Sequence, residues 1–182
     1  FDKVSVVGIL NADNMLNYPD FRAYEHAYMM MAQVGGRAGR RGKRGLVVIQ
    51  TYSPNLPVIS QVTRGDYLGM YNDQLSERLQ FHYPPFYHLI YLYMKHSNDK
   101  TVEMAAVEVS SWLRQWFGDR VKGPVKPDVG KIKTLNIRMV VLKLENGIDM
   151  AKVRLYLKRA REAILADKRY STLTIYFDVD PV

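Results

Sequence analysis

The sequence predicts a mixed α/β protein built from two successive units, and two patterns carry this prediction. Two short apolar, β-branched segments, Lys3–Leu10 and Leu46–Thr51, flank a helical segment that begins at Phe21. This strand–helix–strand order is typical of a crossover in a parallel sheet. Residues 86–182 then show strand and helix patterns in the order β-α-β-β-α-β, which is the ferredoxin-like arrangement of an α+β domain.

Each element predicted in the first unit is indicated by the residues within it or next to it. The segment KVSVVGIL, Lys3–Leu10, is the kind of short apolar run that forms a buried strand of a parallel sheet. Asp20 precedes the helix, and its carboxylate is expected to accept a free backbone N–H at the helix start. The helix runs through YEHAYMMMAQV and either ends at Gly35–Gly36 or passes through them.

A helical segment joins the two units. Residues 58–80 are predicted to be helical overall, with Gly65 and Gly69 as weak points. Pro84 and Pro85 then stop the helix. The chain is therefore divided into a first unit, a helical linker and a second unit, which cover residues 1–63, 64–85 and 86–182.

The second unit contains clear strand patterns and two amphipathic helices. Tyr87–His96 and Leu135–Glu145 read as strands, and TLTIYFDVD closes the chain as another. Residues 99–118 carry apolar side chains at three- and four-residue steps and end at Gly118. A second helix follows Asn146–Gly147. Its inward face is predicted to consist of Val153, Leu157, Ala160 and Ile164.

Composition narrows the classes of function. The chain has 182 residues, a net charge of +8 and no cysteine. The charge favours a polyanionic partner, with a basic protein lacking such a partner as the alternative. The absence of cysteine excludes disulfides and thiolate metal sites in this sequence and favours a cytoplasmic location. No apolar run approaches the roughly 18 residues of a membrane span, so no membrane association is expected. Because a strand pattern follows Phe1 almost at once, we expect the sequence to be part of a longer protein.

The segment QVGGRAGRRGKRG, Gln33–Gly45, combines glycines with basic side chains and raises the question of a phosphate site. A P-loop requires G-x-x-x-x-G-K-[ST]. Counting back from Gly42–Lys43 places Arg37 where the first glycine should be, and Arg44 stands where Ser or Thr should be. A dinucleotide-binding G-x-G-x-x-G also fails, because the first two glycines are adjacent. Neither common phosphate cradle is present.

The same segment fits a helix that carries arginines toward a phosphate. At the end of the Phe21 helix, Gln33, Arg37 and Arg40 are spaced by four and three residues, so they are expected to share one face. A guanidinium donates paired hydrogen bonds to phosphate oxygens, whereas lysine acts as a point charge. The alternative is a solvated basic helix end, which the helix dipole favours.

QVGGRAGR resembles the sixth signature motif, usually Q-V-A-G-R-A-G-R, of superfamily 2 helicases of the primosomal protein N′ type. Further segments are similar to that family in order along the chain: LNAD, PDFRAYE, GLVVIQT, the Pro84 pair, VKGPV and the terminal DVDP. The resemblance covers essentially the whole chain. One departure is Gly35, which stands where the family usually has alanine.

The resemblance implies a fold and an activity. Residues 1–63 would be the C-terminal part of RecA-like helicase lobe 2. The whole protein would be an ATP-dependent 3′–5′ DNA helicase, an ATP hydrolase that unwinds DNA at stalled forks and starts primosome assembly for replication restart. By this likeness Arg37 and Arg40 are catalytic and reach ATP phosphates across the cleft between two lobes, with Gln33 as the leading glutamine of the motif.

The resemblance also implies what other parts of the protein supply. ATP and Mg²⁺ would be held mainly by parts absent from this chain, and the zinc-binding cysteines of the family are absent too, so no zinc or other metal site is expected here. The chain alone is expected to be inactive as an ATPase. The implied partners are DNA forks and single strands, the single-stranded-DNA-binding protein and other primosome proteins. The competing hypothesis is a non-enzymatic nucleic-acid-binding module.

A basic surface for DNA phosphates is the remaining candidate site, with a solvated face as its alternative. The residues predicted to contact DNA are Lys122, Lys126, Lys131, Lys133, Lys152 and Arg154. Lys158 lies close in sequence to two of these basic residues and is expected to belong to the same surface. The four histidines, by contrast, show no metal-ligand spacing.

Overall fold

Two units make up the chain, Phe1–Arg78 and Leu79–Val182. The computed structural model describes residues 5–38 and 45–181. The prediction of a mixed α/β chain is confirmed, because a small parallel sheet lies in the first unit and a larger antiparallel sheet lies in the second.

The first unit is organised around two parallel strands, β1 (Val6–Ile9) and β2 (Leu46–Ile49). Between them lie the short helix α1 (Asp13–Leu16) and the longer helix α2 (Ala23–Gly35). The Asp20 carboxylate does accept a backbone N–H, that of Arg22 at 2.8 Å, but the helix begins two residues later than predicted.

The core of the first unit forms where α2 packs against β1 and the next helix. Ala27, Tyr28 and Met31 of α2 are buried together with Ile9 and Val58. Ala27 and Tyr28 lie four and three positions before Met31, so they share one buried face of the helix, whereas Met29 and Met30 face solvent.

Two further helices follow β2, α3 (Pro57–Arg64) and α4 (Tyr67–Gln80). The weak point predicted at Gly65 is confirmed as a helix end, because Gly65 adopts a left-handed φ of 67°. The one predicted at Gly69 is not a break: α4 continues through it, and its N–H donates to the Asp66 carboxylate at 2.8 Å. Since α4 places Met70 in this core, most of the segment expected to be a linker belongs to the first unit.

Residues 86–181 of the second unit contain five strands and two α-helices. The strands form one sheet in the order β4-β6-β3-β7, with β5 paired to β6, and all the pairings are antiparallel. The elements are β3 (Tyr87–His96), α5 (Asp99–Phe117), β4 (Val121–Val125), β5 (Lys131–Ile132), β6 (Leu135–Glu145), α6 (Met150–Ala166) and β7 (Thr174–Val179).

The bounds of β3 and β6 are those predicted, and α5 ends at Gly118 as expected. Both helices are capped by side chains. The Asn98 side chain accepts a hydrogen bond from Thr101 N, and the Asp149 carboxylate accepts from Ala151 N at 2.9 Å. Each cap satisfies a backbone donor that the first helical turn leaves free.

Both helices cover the same face of the sheet. Alternate strand residues such as Leu92 and Val140 are buried in one core with α5 and α6. The face of α6 predicted to point inward, Val153, Leu157, Ala160 and Ile164, is buried as predicted. Because strand side chains alternate, the residues between these core positions project from the opposite face of the sheet.

Candidate functional site

The arginine-bearing segment begins in the last turn of α2, whose other side is buried in the core of the first unit. Met31 is buried, whereas Met29, Met30 and Gln33 are exposed. The packing of α2 therefore directs Gln33 away from the core of the first unit.

The α-helix ends before it reaches the arginines. Gly35 is its last residue, and Gly36 N–H closes it by donating to Ala32 O at 2.9 Å. Two shorter-range bonds continue the winding, from Arg37 N to Val34 O at 3.1 Å and from Ala38 N to Gly35 O at 3.0 Å. Arg37 therefore lies in a tight turn at the helix end, with its side chain exposed.

Gln33, Arg37 and Arg40 were predicted to share one helical face, and the structure describes the first two of them. Arg40 lies outside the described residues, so its placement beside Arg37 stays a prediction. The departure at Gly35 is sterically neutral: a Cβ added there would meet only Val47 Cγ2, at 3.8 Å. Alanine, the residue usual in the resembling motif, therefore fits this position.

A buried carboxylate that the sequence did not reveal joins the ends of the two parallel strands. Asp13 accepts hydrogen bonds from the Thr51 hydroxyl at 2.9 Å and from Tyr52 N at 3.0 Å. The bond from Tyr52 N–H is the main cause that lowers the pKa of Asp13, and the Thr51 hydroxyl adds to it, while burial opposes the shift. Nearby, Ala12 N donates to Gln50 O at 2.9 Å. Together these bonds hold the segments after β1 and β2 in one arrangement.

The six residues predicted to contact DNA are all exposed, and they fall into two groups. Lys122 lies on β4, Lys126 follows that strand, Lys131 lies on β5 and Lys133 lies in the turn between β5 and β6. Lys152 and Arg154 occupy the first turns of α6 instead. Contact of either group with DNA stays a prediction.

Arg154 and Lys158 also border a groove of about 810 Å³. Its floor is apolar and includes Leu157 and Phe177. Lys158 pairs with Glu162 at 3.7 Å, and both of these side chains are exposed, so the pair contributes little to stability.

Lys143 is a lysine whose ammonium group is already engaged. Its Nζ donates to Phe81 O at 2.7 Å and lies 3.6 Å from the centre of the Tyr83 ring. Burial lowers the pKa of Lys143, and the neighbouring charge of Lys122 lowers it further. Lys143 therefore serves to hold the segment before β3 rather than to offer a free cation.

The sequence reasoning missed an aromatic group on the sheet face opposite the helices. Tyr91 and Tyr93 alternate along β3, and Tyr93 pairs across the sheet with Tyr176 of β7. The signal was present as alternating tyrosines in YHLIYLYMKH, but only the sheet register brings Tyr176 beside them.

Within residues 5–38 and 45–181, no three His, Cys, Asp or Glu side chains come together as a metal site. Among these residues, no helix is both long and apolar enough to cross a bilayer.

Fold and charge together define a basic α/β chain whose second unit is an antiparallel sheet covered on one face by two helices. Residues 79–182 match the family described as Primosomal protein N C-terminal domain. The chain belongs to this family, and the resemblance seen in its motifs is confirmed.

Curated relatives match along the whole chain. The protein named Replication restart protein PriA is 30% identical over 183 residues in Bacillus subtilis, 31% over 182 in Synechocystis and 35% over 184 in Treponema pallidum. These alignments cover 100%, 99% and 100% of this chain but only 22%, 21% and 27% of the respective relatives. The chain thus spans about a fifth to a quarter of the length of these relatives.

Proposed function

We propose that the chain is part of an ATP-dependent 3′–5′ DNA helicase that acts in replication restart and primosome assembly. The relatives carry the name of a replication restart protein over the full length of this chain, which supports the biological role. The observation that carries the molecular proposal is the exposed Arg37, held in a hydrogen-bonded turn at the end of α2.

The two units have distinct roles in this proposal. The first unit is part of the second RecA-like lobe. This assignment is supported by the parallel strands β1 and β2 and by the helix α2 between them. The second unit is a ferredoxin-like domain, which is supported by the strand order β4-β6-β3-β7 with both helices on one face. Its lysines bind DNA phosphates.

The arginines act on ATP held mainly by residues outside this chain. Water attacks the γ-phosphorus, and the bond to the β–γ bridging oxygen breaks with its electron pair on ADP. The water oxygen stays on the phosphate and a proton is released to solvent. The Arg37 and Arg40 guanidiniums donate hydrogen bonds to the γ-phosphate oxygens and offset the charge that develops on them. The Gln33 amide orients the nucleotide from the preceding helical turn. Mg²⁺ would be held mainly by groups outside this chain and would supply positive charge to the phosphates.

The test compares Arg37→Ala and Arg40→Ala with Arg64→Ala in the longer protein that carries this chain. Arg64 is also an exposed arginine at a helix end of the first unit, which makes it a matched control. DNA-stimulated ATP turnover is expected to fall by about 10³-fold in the first two variants and to stay unchanged in the control. Arg37→Lys should recover only a small part of the activity, because lysine lacks the fork geometry.

Unchanged turnover in Arg37→Ala and Arg40→Ala would remove the catalytic assignment. Binding of DNA by the second unit would survive that result, and the chain would then be a nucleic-acid-binding module.

A further inference from the structure

The sheet face opposite the helices carries a connected group of tyrosines. On β3, Leu92 and Met94 point into the core with the helices, so Tyr91, Tyr93 and Lys95 project from the other face. On β7, Ile175 is a core residue and Tyr176 projects from the same face as Tyr93.

The rings of Tyr93 and Tyr176 stack directly across the two strands. Their centres are 5.0 Å apart and their planes differ by 17°. Tyr91 meets Tyr93 edge-on, with ring centres 6.2 Å apart and planes at 75°. The Lys95 ammonium lies 4.6 Å from the centre of the Tyr176 ring. A cation thus lies beside a tyrosine column in which Tyr93 and Tyr176 stack and Tyr91 meets Tyr93 edge-on.

The column reaches the surface of the unit. Tyr176 is 39% exposed, and its strand β7 is the last one in the sheet order. Part of the Tyr176 side chain is therefore accessible on an edge strand of the sheet, which a fully buried ring would not be.

Charge is distributed unevenly along this part of the sheet. Lys131 pairs with Asn136, which pairs with His96, so the β5–β6 hairpin and its lysines lie at the Lys95 end. Asp178 pairs with Tyr91 toward the other end. Burial raises the pKa of Tyr93, and the neighbouring Tyr176 and Asp178 raise it further, so the phenol stays neutral at physiological pH.

We propose that Tyr93 and Tyr176 form a base-stacking surface for single-stranded DNA, with Lys95 and Lys133 contacting the phosphates. Aromatic side chains on a sheet stack with unpaired bases of any sequence, and adjacent lysines attract the backbone. This inference rests on the proposed role in DNA unwinding, and it names the strand-binding surface that the lysine prediction left open.

The test measures binding of the 182-residue chain to a fluorescein-labelled oligothymidylate by fluorescence anisotropy at low salt. Tyr93→Leu and Tyr176→Leu are expected to weaken binding about 10-fold or more, because stacking on an aromatic ring carries much of the affinity for each base. Tyr176→Phe keeps the ring and should bind as the wild type does.

Tyr156→Leu is the matched control. Tyr156 also belongs to a stacked pair, with Trp116 at 4.8 Å and 20°, but it lies on the helical side of the unit. Its loss should leave the affinity unchanged. An abasic oligonucleotide of equal length should bind the wild type and Tyr176→Leu equally, because it offers phosphates without bases.

A second measurement does not depend on folding of the variants. Photocrosslinking of the wild-type chain to an oligonucleotide containing 5-bromodeoxyuridine should label peptides from β3 or β7. Labelling elsewhere, or equal affinities for wild type, Tyr93→Leu and Tyr176→Leu, would overturn the inference. Tighter, tyrosine-dependent binding of oligouridylate would overturn the assignment to DNA in favour of RNA. None of these outcomes bears on the Arg37 ATPase test, so the two proposals fail separately.

Discussion

Asp13 and Thr51, 38 positions apart in sequence, are joined by a hydrogen bond of 2.9 Å that the hydroxyl donates to the carboxylate. The carboxylate also accepts the Tyr52 N–H at 3.0 Å. One side chain therefore ties together the segments that follow the two parallel strands, next to the unit's core.

This bond predicts a pH dependence of stability. The Tyr52 N–H, helped by the Thr51 hydroxyl, lowers the pKa of Asp13 below its ordinary value of 3.8. The folded state thus binds the proton less tightly than the unfolded state, so the stabilisation is present above pH 3.8 and is lost as the pH falls through the lowered pKa. Asp13→Asn should lower the free energy of unfolding at neutral pH and show a smaller difference from wild type at acidic pH.

Two measurements check this prediction. Denaturant unfolding at a series of pH values gives the stability difference, with exposed Asp128→Asn as a control expected to have no effect. NMR titration of the carboxyl carbon gives the pKa directly, and a value at or above 3.8 for Asp13 would contradict the prediction.

A pair of leucines on α6 tests the core of the second unit. Leu157 is 5% exposed and Leu155 is 45% exposed, on the same helix two residues apart. Leu157→Ala should lower the free energy of unfolding by about 2–5 kcal/mol, because it removes buried methyl groups and leaves a cavity. Leu155→Ala should change it by less than about 0.5 kcal/mol. Denaturant unfolding followed by tryptophan fluorescence measures both, and equal effects would contradict the assigned faces of the helix.

The start of α6 offers a test of its cap. The Asp149 carboxylate accepts hydrogen bonds from Ala151 N at 2.9 Å and Lys152 N at 3.2 Å. Asp149→Ala should therefore cost about 1 kcal/mol of stability, whereas Asp149→Asn should retain most of it, because an amide oxygen also caps a helix. Thermal unfolding by circular dichroism distinguishes the two variants, and an Asn variant as unstable as the Ala variant would argue against the cap.

Two glycines at helix ends of the first unit should respond in opposite directions to alanine. Gly35 lies within α2 with room for a Cβ, so Gly35→Ala should stabilise the chain by up to about 1 kcal/mol. Gly65 has a φ of 67°, which strains any L-side chain, so Gly65→Ala should destabilise it by about 1 kcal/mol. Differential scanning calorimetry measures both changes, and the same sign for both would refute this account.

Local patterns predicted several elements correctly because the information lay within a few residues. A run rich in tyrosine, isoleucine and leucine predicted the bounds of Tyr87–His96, and three- and four-residue spacing predicted the buried face of α6. Gly65 and Gly118 marked real helix ends. The start of α2 was predicted two residues too early. The weak point expected at Gly69 is not a break, and the Asp66 carboxylate accepts the Gly69 N–H near the start of α4.

The amino-acid sequence by itself determined the mixed α/β class, the strands β3 and β6, the helices α5 and α6 and the family, since composition, periodicity and motif spacing are properties of the chain in order. Only the tertiary structure decided that Asp13 bonds Thr51 and that Tyr93 stacks on Tyr176. Both contacts join residues far apart in sequence. Strand register and packing bring such residues together, and no local pattern in the chain specifies the partner.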